Sequence, residues 1–133
     1  NSFHNNDLFF LVQGTSPLVQ TKDFDAAFAK LQHEQADSLL TCTRAKRFFW
    51  NDDGTTLNYD YKDRPRRQDF DGILMENGAF YINSIRNILT DKNRLSGKIA
   101  IYEMEMFTSV DIDEDDDWVI AEKLMHRHIL LRG

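Results

Sequence analysis

The chain has 133 residues, 41% hydrophobic and 12% aromatic, with a net charge of −6 and a single cysteine, Cys42. That size and apolar content suit one globular domain with a real core, and the negative balance excludes general nucleic-acid binding, which needs surplus Lys and Arg against phosphates. One cysteine precludes an internal disulfide and fits a reducing compartment, so the expected location is the cytoplasm. The longest apolar run, Leu8 to Val12, is far short of the roughly 20 residues of a membrane-spanning helix, and neither a membrane segment nor a targeting leader is expected.

Helical and strand patterns then alternate without repeats, low-complexity tracts or a Pro/Gly/Ser linker, which predicts a single α/β unit. Asp7 to Val12 reads as a strand buried on both faces, ending in the turn-rich loop Gln13-Gly14-Thr15-Ser16-Pro17. Ligands of open α/β sheets sit beyond the carboxyl ends of strands, which makes Gln13, Thr15 and Ser16 candidate ligand contacts. The same residues also suit a closed turn and a helix cap. Thr21 or Asp23 can cap a helix whose apolar stripe is Phe24, Ala27, Phe28 and Leu31. Asp37 to Thr43 reads as a strand. Arg47 to Trp50 and Thr55 to Tyr59 flank Asn51-Asp52-Asp53-Gly54, a hairpin turn with glycine where a positive φ is needed. With Phe48, Phe49, Trp50, Tyr59 and Tyr61, this hairpin carries more apolar surface than a small domain covers, and it suits a dimer arm.

The loop that follows places Lys62, Arg64, Arg66 and Arg67 within seven residues. Arginine offers a planar fork of donors for carboxylates and phosphates; the alternative is a solvated loop neutralised by Asp60, Asp63, Asp69 and Asp71. Gly78 to Asn83 alternates as a strand, with Phe80 and Ile82 on one face and Ala79 and Tyr81 on the other, so that Tyr81 can face a cleft. Ile85 to Leu89 reads as a short helix, and Lys98 to Met104 and Thr108 to Ile112 as strands. In Ser109-Val110-Asp111-Ile112-Asp113 a strand would put both carboxylates on one side. Paired hard oxygens suit Mg²⁺, which takes one or two carboxylates and completes its shell with water and phosphates. The competing reading makes Asp113 to Asp117 the acidic first turn of a helix whose face is Trp118, Ala121, Leu124, Met125 and His128. His4, His33, His126 and His128 show no transition-metal spacing.

Four segments in this order carry a family resemblance: Gln13-Gly14-Thr15-Ser16-Pro17-Leu18, Arg64-Pro65-Arg66-Arg67-Gln68-Asp69, Glu76-Asn77-Gly78-Ala79-Phe80-Tyr81-Ile82, and Ser109 to Asp113 with Trp118. Together they resemble the acylneuraminate cytidylyltransferases, the CMP-sialic acid synthetases, over nearly the whole chain. The resemblance implies Mg²⁺-dependent transfer of CMP from CTP to the anomeric hydroxyl of a nine-carbon 2-keto sugar acid, with release of pyrophosphate. It implies Asp111 and Asp113 as metal ligands, and Asp113, Asp111 and Arg66 as the catalytic set. Arg66 would reach an active site across a dimer interface, and Lys46 or Arg47 matches a second cross-dimer base. Gln13, Thr15, Ser16, Gln68, Asn77 and Tyr81 are the implied substrate contacts.

The implied fold is a three-layer, nucleotide-diphosphosugar-transferase-like (Rossmann-like) α/β domain with a mixed, mostly parallel sheet. Residues 44–70 would form a protruding hairpin arm and basic loop serving a homodimer. Two departures lie in the first loop: Gly14 replaces the common proline, and Val19 stands where arginine is usual. The family's Pro-Ala-Arg-Gly-Gly-Ser-Lys type of triphosphate loop does not occur, so residues 1–133 are expected to be the C-terminal part of a single cytidylyltransferase domain, without its first strands. A noncatalytic sugar-acid-binding or dimerisation fragment is the alternative, and no nucleic-acid or membrane partner is expected.

Overall fold

The computed structural model describes residues 2–131. Four strands form one sheet: β1 (Leu8–Val12), β2 (Ser38–Ala45), β3 (Ile73–Ser84) and β4 (Ile99–Met104), in the order β1-β3-β2-β4. Helix α1 (Thr21–His33) follows β1, α2 (Ile85–Asp91) follows β3, and α3 (Asp115–Met125) comes after β4. The α/β class is as expected and the sheet is mixed, but the parallel pairing is in the minority. β3 runs antiparallel to both β1 and β2, and β2 with β4 is the parallel pair among the described residues. The long β3 returns between two earlier strands, and that insertion fixes both antiparallel ladders.

The burial of β1 differs from expectation. It is an edge strand rather than one buried on both faces: Leu8, Phe9 and Val12 are exposed, and only Phe10 and Leu11 are half-buried. Phe10 points to one side of the sheet, where Phe24 of α1 lies 4.7 Å and Phe10 itself 6.4 Å from the ring of Phe80. Ala27, Leu31, Leu39, Ala79, Ile82, Ala100 and Met104 complete that core, so Ala79 packs with Phe80 and Ile82 and not on the Tyr81 face where strict alternation would put it, because the strand is irregular at this point. The stripe read from the sequence thus faces the sheet, except that Phe28 stays exposed. Leu40, Cys42 and Tyr81 build a smaller cluster with Leu11, Leu74, Leu95 and Ile101 packed against it.

The cap of α1 is Gln20 rather than Thr21 or Asp23. Asp23 instead sits in the first turn, where its carboxylate accepts the Gln20 N–H at 2.8 Å. Ser84 caps α2 by accepting the Asn87 N–H at 3.1 Å, and Lys92 ends that helix in the left-handed region. Asn51 to Gly54 forms the expected turn, with Gly54 at φ +84°. It is closed by a single bridge, Trp50 to Thr56, instead of a ladder, because the Asn58 amide takes the Phe49 N–H and the Arg47 carbonyl for itself. Phe48 packs on Tyr59 at 4.4 Å and on Phe70 at 4.9 Å, whereas Phe49, Trp50 and Tyr61 stay exposed.

The predicted strand Thr108 to Ile112 does not form. Met106–Ser109 is a 3-10 turn, in which the Thr108 hydroxyl donates to the Glu105 carbonyl at 2.7 Å and the Ser109 hydroxyl to the Met106 carbonyl at 2.8 Å. Such local side-chain bonds offer the backbone an alternative to a ladder. Among the described residues, no helix is long and apolar enough to cross a membrane.

Candidate active site

The Glu76-Asn77-Gly78-Ala79 motif is a bulge. Between the pairs Leu40–Tyr81 and Cys42–Glu76, β2 spends one residue, Thr41, while β3 spends Asn77 to Phe80. The excess backbone needs substitute partners, and side chains supply them. The Thr41 hydroxyl donates to the Asn77 carbonyl oxygen at 2.6 Å and accepts the Phe80 N–H at 3.3 Å. Asn77 Oδ1 also accepts the Ala79 N–H at 3.3 Å, and its Nδ2 donates to Thr108 Oγ1 at 3.2 Å and to Met104 Sδ at 3.3 Å. Asn77 is buried, and its amide is fully spent on the fold. Thr41 and Thr108, the partners that make this possible, carry no motif of their own and were not legible in the sequence.

The bulge meets the loop after β1. The Gln13 N–H donates to the Ala79 carbonyl at 3.1 Å. Gly78 has φ +68°, and a Cβ there would stand 2.5 Å from Gln13 Oε1. The positive φ favours glycine here, and a side chain would in addition push the end of Gln13 aside. The Ser16 N–H closes the loop onto the Gln13 carbonyl at 3.2 Å, and the buried Ser16 hydroxyl has no partner among the described residues. The Thr15 carbonyl accepts the Ile112 N–H at 2.9 Å. That bond joins the first motif to the last, so Gln13, Thr15, Ser16, Asn77, Gly78 and the Asp111–Asp113 segment form one neighbourhood.

The acidic segment is divided in its roles. The Asp117 carboxylate accepts the N–H groups of Asp113 and Glu114, each at 2.9 Å, and these bonds hold it below the usual carboxylate range. Asp115, Asp116 and Asp117 occupy the first turn of α3, where a helix dipole favours negative charge. Asp111 and Asp113 are exposed outside any strand, so the pairing of their carboxylates by strand alternation is corrected. Among the described residues their carboxylates enter no hydrogen bond or ion pair. Each is a partner-free hard-oxygen donor of the kind Mg²⁺ takes, while no group of three or more His, Cys, Asp and Glu that could hold a metal exists among the described residues.

On the other face of β3, Tyr81 is buried and its hydroxyl donates to Glu76 Oε2 at 2.9 Å. Burial first, and then the Glu76 carboxylate, raise its pKa above the ordinary phenol value. The Arg94 guanidinium lies 4.9 Å over the ring. Tyr81, Phe9, Leu11, Ile88, Lys92 and Arg94 line a cavity of about 220 Å³. Its walls are largely apolar and its charged groups are both cations. Neither Lys92 nor Arg94 was singled out by sequence, because they stand outside every motif.

The arm stands apart. Among the described residues no hydrogen bond or ion pair joins Arg66, Arg67 or Gln68 to Gln13, Tyr81 or Asp111. Arg66 is paired locally with Asp69 at 2.9 Å, with its side chain 75% exposed, and Gln68 is exposed on the same turn. Arg67 instead lines an open basic cleft of about 270 Å³ with Arg44, Lys46, Arg47 and Met106. Arg44 is held by Glu103 through two bonds of 2.9 and 3.0 Å, whereas Lys46, Arg47 and Arg67 have no acidic partner among the described residues. Clustering could flag this loop, but it could not say which arginine stays free.

No protein-family model matches the chain. Curated relatives do. Over 128 residues, 91% of this chain, it is 36% identical to N-acylneuraminate cytidylyltransferase B of Danio rerio and 37% identical to N-acylneuraminate cytidylyltransferase of Oncorhynchus mykiss. A more distant N-acylneuraminate cytidylyltransferase, from Streptococcus agalactiae, is 24% identical over 125 residues. The chain spans about 30% of the length of these curated relatives. Over 91% of its own length, the chain is thus homologous to a stretch of the N-acylneuraminate cytidylyltransferases.

Proposed function

We propose that this chain serves the transfer of CMP from CTP to the anomeric hydroxyl of N-acylneuraminate or a related nine-carbon 2-keto sugar acid. The observation that carries the proposal is the 36–37% identity, over 91% of the chain, to proteins named for that activity. In the transfer the anomeric oxygen attacks the α-phosphorus of CTP and the bond to the bridging oxygen breaks. Pyrophosphate leaves, and the hydroxyl proton passes to solvent.

The chain's residues divide that work. Gln13, lying beside Gly78, and Tyr81, set in its cavity, contact the sugar acid, with Thr15 and Ser16 shaping the loop beside Gln13. Lys92 and Arg94 offer charge for the carboxylate, and Phe9 and Leu11 offer an apolar wall for the acyl group. Asp111 and Asp113 would hold Mg²⁺, which would supply charge neutralisation at the α-phosphate. Asn77 acts by shaping the bulge. The basic loop, with Arg66, Gln68 and the freer Arg67, serves the site of a second copy across a homodimer, which the exposed Trp50, Leu57 and Tyr61 of the arm would help to build. The proposed location is the cytoplasm.

Phosphorus NMR of the chain with CTP, Mg²⁺ and N-acetylneuraminate tests the reading. Pyrophosphate together with a sugar-linked CMP signal establishes the transfer, and Asp113→Asn then removes most of the metal-dependent rate, Asp111→Asn somewhat less. N-acetylneuraminate binding at Tyr81 without turnover restricts these residues to the sugar-acid side of the site. Neither turnover nor binding would overturn the proposal for this chain. Light scattering checks the dimer, which a monomer at micromolar concentration would refute.

A further inference from the structure

Helix α3 is lightly anchored. Ala121 is its one buried residue among those described, and Trp118, Val119 and Ile120 are exposed. Beyond it the chain makes a π-turn at His126–Leu130, with the Leu131 N–H donating to the His126 carbonyl at 3.0 Å. There the His128 imidazole lies flat on Phe107, with centroids 4.2 Å apart and planes at 6°. His128 Nδ1 is buried without a hydrogen-bond partner among the described residues, and the contact with Phe107 is a packing of faces. Phe107 adjoins Thr108, which Asn77 ties to the bulge at 3.2 Å. Between these anchors runs the irregular segment 110–114 with Asp111 and Asp113. Its own tethers are the Ile112 bond to Thr15 and the two bonds to Asp117.

We propose that the Phe107–His128 stack is a clasp that closes residues 107–128 into a loop and so fixes where Asp111 and Asp113 are presented beside the Gln13 loop. The inference rests on reading those two aspartates as the metal pair, and it makes His128 a positioning residue rather than a ligand. α3 is a lever about 16 Å long at the usual rise per residue. Releasing its far end lets its N-terminus, to which Asp113 is bound through the Asp117 carboxylate, swing against the fixed bulge.

The test compares His128→Ala, Phe107→Leu and His128→Phe in the 133-residue chain by amide NMR without metal and by Mn²⁺ titration. The clasp predicts that the first two shift and broaden the Asp111 and Asp113 amides and weaken Mn²⁺ by about tenfold, as loss of a supporting residue around a metal site does. His128→Phe keeps the stack, removes the orphaned nitrogen and leaves both readouts unchanged. The proposal is overturned if His128→Ala and Phe107→Leu lower the melting temperature yet leave the amides and Mn²⁺ affinity as they were. It is equally overturned if His128→Phe behaves like His128→Ala. Should His128→Ala fail to fold, Phe107→Leu decides. If the parent chain binds no Mn²⁺, the metal assignment fails while the metal-free amide comparison still decides the clasp.

Discussion

The bulge at Asn77 and the arm at residues 47–70 both carry polar motifs, and they spend them in opposite ways. At the bulge, one buried amide serves Thr41, Ala79, Thr108 and Met104 at once. In the arm, Arg66 holds only Asp69 and is 75% exposed, and the nearby Arg67 has no acidic partner among the described residues. A buried polar group is costly unless fully partnered, so it acts through the fold; an exposed charge is worth little to stability and remains available to a ligand. The two motifs therefore differ in what they are for, although both read as substrate contacts in sequence.

The largest expected effect comes from breaking the buried side of that contrast. Asn77→Ala strands the Ala79 N–H and removes a partner from two buried hydroxyls, which costs about 2–3 kcal/mol at the usual penalty for unmet buried groups. Urea unfolding of the two proteins measures it. A loss below about 0.5 kcal/mol, the range of an ordinary surface substitution, would show that the network is not what holds the bulge.

Two glycines sharpen the comparison at the next level. Gly78 and Gly54 both have positive φ, at +68° and +84°, but a Cβ on Gly78 meets Gln13 Oε1 whereas one on Gly54 meets nothing within 4 Å. Ala at either position should cost about 1 kcal/mol or somewhat more for the strained backbone. Only Gly78→Ala should also displace Gln13 and weaken N-acetylneuraminate binding, as read by calorimetry. Equal binding by the two variants would detach Gln13 from the sugar site.

What was legible follows from the same contrast. α1 was readable because Phe24, Ala27 and Leu31 obey a helical period that the sheet then buries, and the turn at Gly54 was readable because only a positive φ explains its glycine. β1 misled because apolar composition does not say how many strands flank a strand. Thr108 to Ile112 misled because hydroxyl bonds to Glu105 and Met106 won over alternation. The distant partners of Asn77, which are Thr41, Met104 and Thr108, lie 27 to 36 residues from it, and Arg94, over the Tyr81 ring, stands outside every motif. No local pattern reports contacts that the sheet creates.

Tyr102 gives a smaller effect with a definite sign. Its hydroxyl donates to the buried Asp23 at 3.0 Å, and burial first, then the Asp23 carboxylate, push its pKa from 10.0 up to about 12. The folded state thus holds the phenol proton more tightly than the unfolded chain does. The resulting stabilisation is whole below about pH 10 and is lost as pH rises toward 12. Tyr102→Phe should cost about 1 kcal/mol at neutral pH and flatten the fall in thermal stability across that alkaline window. A variant whose alkaline profile matches the parent's would mean that another group titrates there.

The smallest expected change in stability is the one that separates the two arginines. Arg66→Ala and Arg67→Ala should each lie within about 0.5 kcal/mol of the parent, since exposed pairs and free surface charges contribute little. Their effects on an anion should differ. Arg67 shares its cleft with Lys46 and Arg47 and has no carboxylate to surrender, whereas Arg66 must first give up Asp69 at 2.9 Å. Titration with inorganic pyrophosphate at low salt should therefore weaken more for Arg67→Ala than for Arg66→Ala. Asp69→Ala, by freeing Arg66, should strengthen it. The reverse order would return the functional role to Arg66, and would mean that its pairing with Asp69 is exchanged for the ligand on binding.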